Sequence, residues 1–211
     1  MAQTTKIRIV DAAEALFAEQ GFTQTSMRNI TARAGVNLAS VNYHFGSKKN
    51  LIQAVLKRYF DVLMPELDKA FATLPLQTGQ PGIGALFNAM IPPMLALRQV
   101  KPGGTERFVV LLGRGYTETQ GHLRRFIMHD YGATVHRLLE QIHRRLPHID
   151  DSELFWRLHF AMGSFVFSMA SCQALTEIAQ ADFNQRVEVV DVISHLVPFV
   201  ANGIGGAPLP G

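Results

Sequence analysis

The residues best equipped for chemistry are concentrated between Ser26 and Asn50, in the stretch SMRNITARAGVNLASVNYHFGSKKN. Arg28, Ser40, Asn42, Tyr43, His44 and Lys48 bring cations, an amide, hydroxyls and an imidazole into one short segment. Such a set suits hydrogen bonding to phosphate oxygens and base edges. An amide can bond adenine through two atoms, so Asn42, helped by Ser40, is the expected reader of sequence. Lys48 falls in the first turn of a helix, where a cation opposes the macrodipole. The same helix end attracts a phosphate, and Lys48 adds to that attraction.

These residues need two short helices and a tight turn to present them. Ser26 with Asn29 predicts a polar N-cap, ahead of a helix that buries Met27 and Ile30. Gly35 supplies the left-handed residue that ends it, and Asn37 caps the next helix. That helix, Leu38 to Phe45, is expected to bury Leu38, Val41 and Phe45 and to show Ser40, Asn42, Tyr43 and His44 on its other face. Two such helices around a glycine turn form a helix-turn-helix. An ordinary helical hairpin has the same spacing, and charge separates the two. Residues 1–60 hold eight cations, Lys6, Arg8, Arg28, Arg33, Lys48, Lys49, Lys57 and Arg58, against Asp11, Glu14 and Glu19, a net of +5. The whole chain is +3, so the remainder is −2. No Asp or Glu occurs between Gln20 and Phe60, and a one-signed stretch points to a phosphate backbone as partner.

The runs DAAEALFAEQGF, TSMRNITARAGV and VNYHFGSKKNL, between Ile9 and Leu51, resemble the DNA-binding domain of TetR/AcrR family regulators. The segments GHLRRFIMHDYG, ELFWRLHFAMGSFVFSMASCQALTEIAQADF and LVPFV resemble the PsrA branch, which is associated with fatty-acid-responsive regulation. The resemblance implies that Tyr43 and His44 touch backbone phosphates, and that Arg28 touches phosphate or a base edge. It implies a dimeric repressor on a palindromic double-stranded DNA operator, released by an apolar effector such as a long-chain fatty acid or acyl-CoA.

The rest of the chain reads as helix. Ile7, Val10, Ala13 and Phe17 fall on one stripe, Gly21 ends that helix, and a long helix opens at Ser47, with Pro65 expected to bend or break it. Further helices are expected at about 84–98, 105–118, 120–146, 151–180 and 184–202, with a kink or break at Pro92–Pro93 and a loop over Pro75 to Pro81. No period-2 stretch predicts a strand. The fold class is therefore all-α: a three-helix helix-turn-helix head over residues 1–50, a helical effector-binding and dimerisation bundle over 51–203, and a loose tail over 204–211.

Within the bundle, Ala161, Ser164, Ser168 and Ser171 make a strip of small side chains that would let a second helix approach closely. Val189, Ile193, Leu196 and Val200 make an apolar stripe on the next helix. The resemblance implies that both pair with their symmetry mates as a homodimer; packing inside one monomer is the alternative. Phe87, Met90, Met94, Phe108, Leu112, Phe126, Trp156, Phe160 and Met162 are large, flexible apolar groups suited to lining an effector pocket. Arg114, Arg124 and Arg125 are available to an anionic head.

Signals for other classes are weak. Gly82-Ile-Gly84 and Gly113-Arg-Gly115 lack the strand and third glycine of a dinucleotide loop. No zinc or hydrolase motif occurs, so no catalytic residue, metal or cofactor is expected. His122, His129, His136 and His143 recur every seven residues, which is about 10 Å along a helix and too far apart to share a metal. The single Cys172, the absence of a signal-peptide pattern, and the His and Ser residues within the charge-free run 158–176 point to the cytoplasm and away from a membrane. The runner-up function is a helical small-molecule-binding protein or enzyme whose basic head is incidental.

Overall fold

The protein, a computed structural model, is described over residues 2–117 and 121–206, with the side chains of residues 2, 3, 80, 116 and 117 left aside. Ten α-helices occupy these residues: α1 Ala2–Gln24, α2 Met27–Ala34, α3 Leu38–Phe45, α4 Lys48–Thr73, α5 Gly79–Ala96, α6 Gly104–Thr117, α7 Gly121–Arg145, α8 Asp151–Ala170, α9 Cys172–Phe183 and α10 Val189–Gly205, with a 3-10 turn at Leu97–Gln99. No strand occurs among them, as the missing period-2 pattern predicts. No single described helix is long and apolar enough to cross a membrane; α8 and α9, bent by 71°, reach that length and composition only as a pair.

The chain forms two compact units, Met1–Val62 with Leu97–Gly132 and Leu63–Ala96 with Ala133–Gly211. Compactness therefore cuts the chain differently from the motif-based division at residue 50, because α1 packs against α6 as well as against α2 and α3. In the first unit Ile9, Ala13, Phe17, Phe22, Ile30, Val41, Leu51, Val55 and Tyr59 are fully buried. Ile7, placed on the buried stripe by sequence, is 51% exposed; Ile9 takes its place, at i, i+4, i+8 with Ala13 and Phe17. Gly21 does interrupt α1 (φ 85°), and the Phe22 ring then meets Phe17 edge-on at 5.2 Å. A buried carboxylate, Glu14, joins Arg58 Nη1 at 3.2 Å and Lys101 Nζ at 2.7 Å.

In the second unit α10 packs on α5 and α8 and buries Ile193, Leu196, Val197, Val200, Ala201 and Ile204. The prolines break nothing: α4 runs through Pro65 and α5 through Pro92 and Pro93. Each proline forfeits a backbone bond, and the buried side chains around them, Leu63, Met64, Leu67 and Pro93 among them, hold the helices through it. The helix expected over 151–180 instead breaks at Ser171. Asn184 then takes the left-handed conformation (φ 53°) that stops α9, so the last helix starts at Val189 rather than 184. A reciprocal capping box between Glu188 and Asp191 fixes that start. Part of the expected loose tail is anchored: Ile204 is 1% exposed, and Arg157 Nη1 donates to the carbonyls of Ile204 and Gly206. Residues 207–211 lie outside the described residues.

Arg145 is fully buried. It donates from Nε to Gly82 O at 3.1 Å, from Nη2 to Pro75 O at 3.0 Å, and from Nη1 to both oxygens of Gln141. This cation ties the loop ahead of α5 to the end of α7 without a carboxylate, and burial holds its pKa below the usual arginine value. Arg145→Met keeps the volume and strands the Pro75 and Gly82 carbonyls, so it should destabilise the fold by about 2–4 kcal/mol, read from urea unfolding. A change below about 0.5 kcal/mol would show that water satisfies those carbonyls equally well.

Candidate nucleic-acid interface

The turn between α2 and α3 is built from local hydrogen bonds. Ser26 Oγ accepts from Asn29 N at 3.1 Å and donates to Asn29 Oδ1 at 2.6 Å, so cap and helper lock each other. Gly35 closes α2 at φ 62°, ψ 43°, a left-handed position that suits glycine. A Cβ there would also come within 2.8 Å of Arg8 Nη2, because Arg8 reaches over from α1 to donate to the Ala34 and Gly35 carbonyls. Asn37 Oδ1 accepts from Ser40 N at 2.8 Å and from Ser40 Oγ at 2.9 Å, which starts α3. At the other end of α3, Gly46 N donates to Asn42 O, and Asn50 Nδ2 donates to Phe45 O at 2.9 Å. α3 is thus held at both termini by asparagine side chains.

Val41 and Phe45 face inward, as expected. Leu38 does not: it is 43% exposed, because position 38 is the first residue of α3 and stands clear of the packed face. Asn42 is exposed and Tyr43 is 84% exposed, while His44 is half-buried with its ring 5.2 Å from that of Tyr43. Arg28 is exposed on α2 beside Asn29, which is also exposed. Ser40 is half-buried, and its hydroxyl proton is engaged with Asn37, so its oxygen can only accept while that bond lasts. Lys48 is half-buried and donates from Nζ to Thr23 O at 3.2 Å. The structure therefore brings all six candidate DNA-facing residues onto α2, α3 and the first turn of α4.

The charge argument needs correction in detail. Arg33 forms a two-pronged pair with Glu19, at 2.6 and 2.9 Å, which holds the Glu19 carboxyl below its ordinary pKa. Arg58 pairs with Asp11 and Glu14, and Lys57 pairs with Asp61. The acid-free stretch is therefore partly neutralised by acids outside it, chiefly from α1. Arg28, Lys48 and Lys49 carry the remaining positive charge of the helix-turn-helix segment. Sequence reasoning missed Arg8 and Asn50, whose partners are backbone carbonyls and leave no pattern in the side-chain order.

The residues expected to line an effector pocket are divided between the two units. In the first unit Phe108 is 1% exposed and packs on Tyr59 and Phe60, Phe126 sits beside Phe60 and Tyr131, and Leu112 and Arg114 are half-buried on α6. In the second, Phe87, Met90 and Met94 are half-buried on α5 and Met162 on α8, while Trp156 and Phe160 stand 54% and 67% exposed. Spacing puts Trp156, Phe160 and Phe167 on one outward face of α8, with exposed Phe155 beside it. The expected interface strip on α10 is largely internal, since Ile193, Leu196 and Val200 pack within the unit and Val189 is half-buried. Ala161, Ser164, Ser168 and Ser171 are half-buried. His136 is exposed and His143 is held by Leu139 O and Asp151. No group of His, Cys, Asp or Glu able to hold a metal occurs among the described residues.

A sequence profile described as the tetracyclin repressor-like C-terminal domain matches residues 88–203, more than half of the chain, and one described as bacterial regulatory proteins of the tetR family matches residues 9–55. The chain belongs to the TetR family. YttP of Bacillus subtilis is 31% identical over 80 residues, covering 38% of this chain and 39% of that protein. The HTH-type transcriptional regulator TtgR of Pseudomonas putida is 38% identical over 55 residues, 26% of each chain. The matches to these curated relatives thus span well under half of their length. A TetR-like transcriptional regulator from Rhodococcus sp. RHA1 shares the fold over 96% of this chain and 97% of its own, with a TM-score of 0.58 at 19% identity. TetR-family regulators are DNA-binding transcription factors rather than enzymes, which removes the enzyme alternative.

Proposed function

We propose that this TetR-family protein is a homodimeric transcriptional repressor that binds a palindromic operator and is released by an apolar effector. The observation that carries the DNA reading is the recognition helix α3, capped by Asn37 and Asn50 and presenting Asn42 and Tyr43 to solvent. One eight-residue helix reads too few base pairs for useful affinity, so a second copy related by a two-fold axis is required. The surface that supports pairing is not the α10 stripe. It is the exposed side of α8 and α10, where Phe155, Trp156, Phe160, Phe167 and Phe199 are 50–67% exposed and Phe167 and Phe199 line one open groove. Exposed aromatic surface of this kind marks an interaction site. A cytoplasmic location follows from action on DNA.

For the effector, a long-chain fatty acid or its coenzyme A thioester fits the resemblance to the PsrA branch and the half-buried, adaptable Met90, Met94 and Met162. Release requires the ligand to prefer the conformation in which the two heads miss successive major grooves; a ligand indifferent to the two states shifts nothing.

Lys48→Ala should weaken binding to every DNA sequence and lower the salt slope by about one unit for each phosphate that the lysine neutralises. Asn42→Ala should instead relax preference at one base position, at about 1–3 kcal/mol. Fluorescence anisotropy on operator and random duplexes across a salt series separates them, and equal weakening on both duplexes would remove the division into backbone and base readers.

Phe160→Asp puts charges across the outward face of α8, and light scattering should show monomers at micromolar concentration. A dimer of unchanged affinity would place the interface elsewhere.

Dodecanoate to octadecanoate and their thioesters, titrated into a preformed protein–operator complex, should dissociate it with a dependence on chain length. A tenfold loss of DNA affinity needs only about 1.4 kcal/mol of preference between the two states. Release by a cationic or aromatic compound, with no effect of the acids, would leave the repressor standing and remove the lipid.

A further inference from the structure

An open groove of about 600 Å³ runs between α4 and α7 in the first unit. Asn50, Gln53, Ala54 and Lys57 line it from α4, and His122, Arg125, Phe126, His129 and Asp130 line it from α7. Both sets follow helical spacing, so one face of each helix looks into the same space. Hydrogen-bond donors dominate the lining. Arg125 is exposed and has no acid within ion-pair distance among the described residues. His122 Nε2 is buried and meets no hydrogen-bond partner among the described residues, and a buried polar nitrogen left unpaired costs free energy. The other charges are committed: Lys57 to Asp61 and Tyr131, and His129 Nδ1 to Asp130 at 2.6 Å. Phe126 and Ala54 give the groove an apolar floor.

We propose that this groove binds an oxyanion, the carboxylate or phosphate of a small ligand, through His122 and Arg125, and that its occupancy is felt by the recognition helix through Asn50. Arg125 offers the planar fork that matches such a group, and His122 supplies the donor that completes it. Burial, with Lys49 and Arg125 nearby, keeps His122 below its ordinary pKa, so the empty site holds a neutral ring near neutral pH. A bound anion reverses that balance and favours the imidazolium. Binding therefore takes up a proton and strengthens as pH falls, with Lys49, Lys57, Arg125, His129, Asp130 and the nearby Asp61 as the other charges in view. Asn50 links the site to DNA: its side-chain amide lines the groove and donates to the carbonyl of Phe45, the last residue of α3. A ligand that recruits that amide frees the end of the helix. This consequence for DNA rests on the regulator reading above; the binding site does not.

Sulfate and dodecanoate are the probes, titrated calorimetrically into the full-length protein without DNA, with chloride at matched ionic strength as control. Sulfate keeps its charge between about pH 5 and 8, so any pH dependence belongs to the protein. The expected result is one site per chain, weakened about tenfold or more by Arg125→Ala and by His122→Phe, and unchanged by Arg124→Ala. Affinity for sulfate should rise as pH falls in the wild type and lose that slope in His122→Phe, with circular dichroism showing all variants folded. Preference between the two probes tells phosphate-like from carboxylate ligands. Equal binding by Arg125→Ala, equal weakening in Arg124→Ala, or a pH-independent affinity would each overturn the site. Operator titrations with and without the bound probe then test Asn50: affinity should fall in the wild type, and no change would overturn the link to α3. Absence of operator binding without any probe would sink the regulator reading instead.

Discussion

The first unit depends on one buried carboxylate. Glu14 is wholly inaccessible, and its two oxygens take Arg58 from α4 and Lys101 from the segment ahead of α6. Glu14 needs these cations because an unpaired charge buried in a poor dielectric is costly, whereas Arg58 and Lys101, 30% and 32% exposed, keep contact with water. An exposed pair such as Arg33–Glu19 is screened by solvent and weighs far less. The carboxylate thus fixes α1 against α4 and α6, and α1 in turn packs the helix-turn-helix. The Tyr59 hydroxyl is pressed into the same neighbourhood; burial chiefly, and the charge of Glu14 next, push its pKa well above the ordinary tyrosine value. A phenol at this position stays neutral and cannot compete for the cations.

The second unit answers to a different constraint, the division of helix faces between inside and outside. α10 has one strongly apolar side, and the monomer uses it on α5 and α8. Its other side and the outward face of α8 keep exposed aromatics that a lone chain in water would not need. Arg145 and Arg157 serve this unit by satisfying backbone carbonyls at the ends of elements, where the chain would otherwise bury unpaired acceptors. Cations used in this way are not open to a ligand, however basic the sequence looks around them.

Much of the head is legible in the sequence because its rules are local. Ser26, Gly35 and Asn37 act within three or four residues of themselves, and each sits where its residue type predicts. The helical class is legible for a similar reason, since period 3.6 and an absent period 2 are properties of short windows. What the sequence does not reveal is long-range. It cannot tell which of two apolar faces on α8 and α10 turns inward: Trp156 and Phe160 stand exposed, while Ile193 and Val200 are buried. Nor can it tell that Arg33 and Arg58 find acids on α1, because those partners are 14 to 47 positions away. Proline reads as a stronger breaker than it is here: Pro65, Pro92 and Pro93 cost a backbone bond each, and side-chain burial outweighs that loss.

These constraints bear on how so small a reading element can be switched. α3 has eight residues and could not persist as a helix alone in water, so its geometry comes from its caps and from packing on α1 and α2. A cap contributes about 1 kcal/mol, close to the 1.4 kcal/mol that separates tight from roughly tenfold weaker DNA binding. Control of the head therefore needs no large rearrangement: a disturbance at Asn37 or Asn50 is already of the right size. Asn37 belongs to the turn itself and is held by Ser40, whereas Asn50 belongs to α4, the helix that leads away from the head. Through Asn50, α4 is bonded directly to the last residue of α3. The buried Glu14 pairs keep α1 in place meanwhile, so a change at Asn50 alters α3 relative to α1 rather than moving the head as one piece.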